Sequence, residues 1–122
     1  MGDGIEVLSA EECLRLLRTV PLGRLLFHEG GLPSVRLVNF ALDGGAVVFR
    51  TSGGQKYAAA LRGGVVGFEV DDLDPSTHQG WTVTIVGHVS TITDPTELEY
   101  LVRVEAESIR GHRLGPEPAV ER

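Results

Sequence analysis

Lysine is almost absent from this chain: Lys56 stands alone against ten arginines. A coding bias toward Arg, Gly, Ala and Val accounts for the scarcity, but not for where the survivor sits. Cysteine is reduced to Cys13, which excludes an intrachain disulfide and any metal site built from cysteines. A reducing compartment is compatible with this, and the cytoplasm is the expected location. No apolar run reaches membrane-spanning length, and the opening MGDGIEVLS has neither the basic start nor the apolar core of a signal peptide. Positive charge is in deficit, with 11 basic against 17 acidic residues and a formal net charge of -6. Nucleic acid and anionic membranes both require a positive surface field, so neither is expected as a partner.

Catalytic signatures are missing as well. No GxSxG elbow and no GxxxxGK[ST] loop occurs, and none of the serines lies in a nucleophile context. His28, His78, His88 and His112 are scattered without HxxxH or HExxH spacing, so no metal ligands are assigned. The acidic stretch Asp71-Asp72-Leu73-Asp74 lacks the ligand spacing of a calcium loop and reads as the start of a solvated connection running to Gly80. No residue is assigned a catalytic role.

What is present is the composition of an ordinary globular domain: 122 residues, 42% hydrophobic and 23% charged, with residues 1–122 expected to form one unit. Ser9 followed by Glu12 is a capping box, and Cys13, Leu16, Leu17 and Val20 recur at helical spacing until Pro21. Cys13 is thereby expected in the core. Leu22–His28 reads as a strand, Glu29-Gly30-Gly31 as a turn, and Pro33–Thr51 as two strands joined through Asp43-Gly44-Gly45. A helix from Tyr57 ends at Gly63-Gly64, and Val65–Val70 is a central strand. Trp81–Thr93 is the longest strand, with Trp81, Val83, Ile85 and Val89 on one face and a bulge or bend at Gly87. Asp94-Pro95-Thr96-Glu97 predicts a second helix start, followed by an amphipathic helix through Leu98, Leu101, Val102, Glu105 and Ile109. Residues 111–122 are expected to be a loosely held tail. The sum is mainly β with flanking helices, a small antiparallel barrel.

The polar corner Thr51-Ser52-Gly53-Gly54-Gln55-Lys56 has the chemistry of an anion site, a phosphate ester being the expected guest. Glycines let backbone N–H groups converge, hydroxyls donate, and a helix start contributes its positive end. Lys56, with Arg50 and Arg36, would neutralise the charge. Local composition equally supports a plain surface turn that caps the next helix. A phosphate-binding corner without an evident acid, base or nucleophile suits a cofactor that brings its own reactivity.

From LRTVPLGRLLF through PSVRLVNFALDGGAVVFRTSGGQKYAAAL to VVGFEVDDLDPSTHQGWTVTIVGHVSTIT, the chain resembles the pyridoxamine 5'-phosphate oxidase-like split-barrel flavin-binding proteins. The resemblance implies a dimeric split β-barrel with FMN, or the deazaflavin F420, at the interface between two copies. It implies that Arg36, Leu37, Val38 and Asn39 line the ring and ribityl portions, and that Arg50, Thr51, Gln55 and Lys56 form the phosphate group of contacts. Trp81 has two readings, a residue approaching the flavin of the facing subunit and a hydrophobic cover for the barrel. The substrate-phosphate residues and Arg-rich C-terminal segment of the true oxidases have no match, so vitamin B6 oxidation is not implied. Relatives continue into another strand beyond the point matching Arg122, so the C-terminal wall is expected to be shorter or completed differently. The implied activity is flavin-dependent electron or hydride transfer to a small organic substrate. F420-dependent reduction on the same fold, or a non-catalytic FMN- or haem-binding module, are the alternatives.

Overall fold

Buried and exposed side chains alternate along most of the chain, because a strand with one face on a core and the other on solvent places apolar residues at every second position. The computed structural model describes residues 5–62, 64–93 and 99–115. In chain order these form β1 (Ile5–Leu8), α1 (Ala10–Leu17), β2 (Leu22–Glu29), β3 (Leu32–Asp43), β4 (Ala46–Thr51), α2 (Gln55–Leu61), β5 (Val65–Asp74), β6 (Gln79–Thr93) and β7 (Tyr100–Leu114). The seven strands make one sheet in the order β1-β7-β4-β3-β2-β5-β6, and β6 pairs back onto β7. That last pairing closes β2 to β7 into an antiparallel barrel.

The barrel is filled from the inner faces. Phe68 is fully buried, with Phe40 meeting it edge-on at 4.9 Å between ring centroids and Phe49 stacked at 6.4 Å. Leu25, Val47, Val83, Ile85, Val102 and Val104 complete the surrounding layer. Gly23 on β2 has a steric reason: a Cβ there would overlap the Phe68 ring. The expected inner face of β6 is observed, with Trp81, Val83, Ile85 and Val89 all buried.

Helix α1 closes one end. Ser9 caps it, its hydroxyl accepting from the Glu12 N–H at 3.1 Å, while the Glu12 carboxylate turns outward to Arg15 and Arg113 instead of back to Ser9. Cys13, Leu16 and Leu17 are buried as the helical spacing predicts. Burial also pushes the Cys13 thiol up from its ordinary pKa.

Three expectations are corrected and one element is added. The segment read as an amphipathic helix through Leu101, Val102, Glu105 and Ile109 is the strand β7, the longest together with β6; its proposed start, Asp94 to Leu98, lies outside the described residues. The expected helical face mixed the two faces of a strand, outward Leu101 and Glu105 with inward Val102 and Ile109, and a bulge is what brings Ile109 inward. The register passes from Val86↔Ser108 to Gly87↔Ala106, leaving Glu107 as an extra residue, so inward positions 102, 104, 106 and 109 include the three-residue spacing of a helix. Gly87 is where the bulge was expected, and a Cβ there would overlap the Glu105 carbonyl oxygen. Gly111 to Leu114 belong to β7 rather than to a loose tail, and residues 116–122 lie outside the description. The C-terminal wall in question is therefore built by β7. The acidic connection is a hairpin: Asp71 to Asp74 extend β5, Gln79 opens β6, and Asp74 accepts from the Ser76 N–H and hydroxyl within the turn. Finally, β1 pairs with the end of β7, an element that the sequence pattern did not suggest.

The central hairpin forms as expected, with its loop one residue further along. Asp43 pairs with Ala46, so Gly44-Gly45 is the two-residue loop and Gly44 takes the positive φ of 64°. The helix end predicted at Gly63-Gly64 falls partly on Gly63, outside the described residues; α2 ends at Leu61.

Candidate functional site

Pleating divides the segment from Arg36 to Asn39 between two faces of β3. Arg36 and Val38 point to one side, where Val38 is buried in the core, and Leu37 and Asn39 point outward and are exposed. β3 pairs with β2 from Leu32 to Glu29 through to Asn39 and Leu22, but with β4 only from Phe40 to Asp43. Beyond Phe40↔Phe49 the two strands part. Among the described residues, the β4-facing edge of β3 from Leu32 to Asn39 has no strand partner, and this opening is the split in the barrel.

The Gly-rich corner fills the far side of the opening. Thr51, the last residue of β4, is buried, and its hydroxyl shares a 2.9 Å hydrogen bond with the Tyr57 hydroxyl. Burial, ahead of the other influences, raises the Tyr57 phenol above its ordinary pKa. Arg36 reaches across from β3: its Nη1 donates to the Ser52 carbonyl at 2.6 Å, and its guanidinium carbon lies 3.8 Å from the Tyr57 ring centroid. Gly54 is the N-cap of α2 and no side chain caps that helix, so the TSGG stretch does not serve as a side-chain cap. Gln55 and Lys56 are exposed. The Lys56 ammonium lies over the β2–β3 turn, 3.7 Å from where a Gly30 Cβ would stand, and has no hydrogen bond or ion pair among the described residues.

Arg50 does not join this corner. It points outward from β4, with its nearest ion-pair partner Glu99 at 3.9 Å, and with Asn39, Phe40, Val48, Glu99 and Leu101 it lines a shallow groove of about 510 Å³. Trp81 is in the core opposite Asp72, toward the end of β5 remote from Gly67, which pairs with Leu26 near the corner. The nine residues implied by the resemblance thus fall into a corner group of Arg36, Thr51, Gln55 and Lys56, an outer group of Leu37, Asn39 and Arg50, and two core residues, Val38 and Trp81. Tyr57, the centre of the corner group, was not among them. Its only sequence signal is an aromatic ring directly after the basic end of the corner, and spacing cannot reveal that Arg36 stacks on it. Among the described residues no cluster of three or more His, Cys, Asp or Glu could hold a metal ion, and no helix is long and apolar enough to cross a membrane.

A closed antiparallel barrel, split at one hairpin and flanked by a basic Gly-rich corner, defines a split-barrel protein of the FMN-binding type. The chain belongs to the pyridoxamine 5'-phosphate oxidase-like family, whose model, described as pyridoxamine 5'-phosphate oxidase, matches residues 9–120. It is 32% identical to the uncharacterized protein Rv0080 of Mycobacterium tuberculosis, over 88% of this chain and 84% of that one. Among solved structures it is similar to an FAD binding protein of Mycobacterium smegmatis, with a TM-score of 0.76 and 35% identity over 90% of this chain and 98% of the other. A conserved protein of unknown function from Corynebacterium diphtheriae, DIP1874, superposes with a TM-score of 0.75 and 26% identity, covering 92% and 99% of the two chains.

Proposed function

We propose that the chain binds a phosphorylated flavin along the open edge of β3, with the phosphate in the Gly-rich corner, and acts as a flavin-dependent oxidoreductase on a small organic substrate. The observation that carries this reading is the corner itself, where Arg36 is held against Ser52, while Lys56, from the start of α2, extends over the β2–β3 turn without a hydrogen bond or ion pair among the described residues. Glycines at 53 and 54 leave the backbone accessible, and the free strand edge offers amide and carbonyl groups to ring heteroatoms. These residues fit the group: cations and backbone donors for a phosphate, edge hydrogen bonds for a planar heterocycle. Bound flavin supplies the hydride or electron transfer, while this chain's residues bind it, orient it and leave one side open to substrate.

FMN is the cofactor favoured here, and the description of the Mycobacterium smegmatis relative as an FAD binding protein extends the proposal to FAD, which contains the same riboflavin phosphate. A second copy of the chain completes the site. Leu26, Val35, Leu37, Val65 and Val86 are exposed on the outer sheet face, and four of them line one apolar groove of about 310 Å³. A row of outward aliphatic side chains on strands suits a homodimer interface.

The test is an absorbance spectrum of the purified protein after adding FMN, FAD or F420 separately, with unbound cofactor removed by gel filtration. Retention of FMN or FAD at a dimer's elution volume is expected. Retention of F420 alone would change the cofactor and keep the pocket, and retention of none would overturn the reading. A substrate-dependent change in flavin redox state separates an enzyme from a storage or sensing module.

A further inference from the structure

We infer that Tyr57 is a positioning residue, whose ring holds Arg36 in place for the cofactor phosphate and so sets the preference of this chain for a phosphorylated over an unphosphorylated flavin. The inference rests on the flavin reading above. It starts from the split: β3 and β4 part after Phe40↔Phe49, so no strand ladder ties Arg36 to the corner. The tie is made by side chains instead. The Arg36 guanidinium lies 3.8 Å from the Tyr57 ring centroid and donates through Nη1 to the Ser52 carbonyl at 2.6 Å. Tyr57 is itself immobilised, buried to 2% exposure, with its ring edge-on to Phe27 at 5.3 Å and its hydroxyl shared with Thr51. The loop residue over this stack is Gly53, where a Cβ would overlap the tyrosine ring and come within 3.2 Å of Arg36 Nη1.

The consequence follows from guanidinium geometry. Stacking occupies the flat face and leaves the in-plane N–H groups as donors, which is the arrangement that matches phosphate oxygens. A long side chain otherwise loses rotamer freedom when it grips a ligand, and here that ordering falls on folding instead of binding. The ring does this work; the hydroxyl serves Thr51.

Flavin-fluorescence titrations with FMN and with riboflavin, run beside thermal melts, test the assignment on the wild-type chain, Tyr57→Phe, Tyr57→Leu, Gly53→Ala, Arg36→Ala and the double variant of Arg36→Ala with Tyr57→Leu. Tyr57→Phe is expected to keep the wild-type ratio of FMN to riboflavin affinity. Tyr57→Leu and Gly53→Ala should each weaken FMN about tenfold while leaving riboflavin unchanged. The double variant should bind FMN no more weakly than Arg36→Ala alone, because the tyrosine acts through that arginine. Gly53→Ala, at an exposed loop position, carries the test if Tyr57→Leu does not fold. FMN affinity unchanged in Gly53→Ala or Tyr57→Leu, equal losses for FMN and riboflavin, or additive losses in the double variant would overturn the inference while leaving the flavin reading intact. A wild-type chain that binds no flavin removes both.

Discussion

On the proposed flavin reading, Lys56 is a residue that should matter to binding and not to stability. Its ammonium has no partner among the described residues and its side chain is exposed over a glycine turn, so removing it breaks no hydrogen bond or ion pair among them. Lys56→Ala should therefore leave the melting temperature unchanged. A lost charge-assisted hydrogen bond to phosphate is worth about 1.5 to 3 kcal/mol, so FMN affinity in a titration should fall roughly tenfold to a hundredfold. Gly23 is the opposite case. Its missing side chain is the space that the Phe68 ring occupies, so Gly23→Ala should cost about 1 to 3 kcal/mol of stability by overpacking, read as a lower denaturation midpoint. Flavin affinity of the folded fraction should hardly change.

At the level of elements, β7 depends on close approaches that larger residues would prevent. Gly87 meets the Glu105 carbonyl across the bulge, and a backbone oxygen cannot swing aside as a side chain can. Gly87→Ala is expected to disrupt the β6–β7 ladder locally, with amide hydrogen exchange accelerating from Val102 to Ala106 before the rest of the barrel. Gly111 does the same for α1, because a Cβ there would overlap the Cys13 sulfur. Gly111→Ala should lower the melting temperature, and adding Cys13→Ala should restore part of the loss, since the sulfur is the obstacle. Equal stability of the single and double variants would show that α1 docks by other contacts.

For the whole molecule, charge and surface make separate predictions. Glu12, held by Arg15 and Arg113, and Glu105, held by Arg103 and Ser90, have carboxyls below their ordinary pKa. A carboxyl lowered on folding contributes stability above its unfolded pKa and loses it as pH falls through the folded one. Glu69 runs the other way: burial first, then Asp71 beside it, raises its carboxyl despite the Arg24 contact. Its protonated form is favoured in the folded state, so its contribution is complete at low pH and is lost as pH rises. Urea melts of Glu69→Gln against wild type should therefore shift in favour of the variant as pH rises from about 4 to about 7. The outer face supplies the other prediction. Val35 is 63% exposed, so Val35→Asp should be tolerated by the fold; if the proposed homodimer packs through this face, the buried charge should shift gel-filtration elution from dimer to monomer.

Local patterns were enough to read α1, the β2–β3–β4 meander, α2, β5 and the inner face of β6, because each is decided by short-range periodicity, capping and turn residues. Ser9, Gly44 and the alternation from Trp81 to Val89 act within a few positions of themselves. The nearness of Thr51, Gln55 and Lys56 follows from their closeness in the chain, whereas the resemblance places Arg36 along the ring and Arg50 at the phosphate. The sequence by itself did not decide β7, since outward Leu101 and Glu105 combine with inward Val102 and Ile109 into apparent helical spacing, Ile109 being brought inward by the bulge at Glu107. Nor did it assign Tyr57, separate Arg50 from the corner, or choose between the two readings of Trp81. Those outcomes depend on pairings between residues far apart in the chain: the open edges of β4 and β6 accept β7 over its local helical pattern, and the parting of β3 from β4 makes the opening across which Arg36 meets Tyr57.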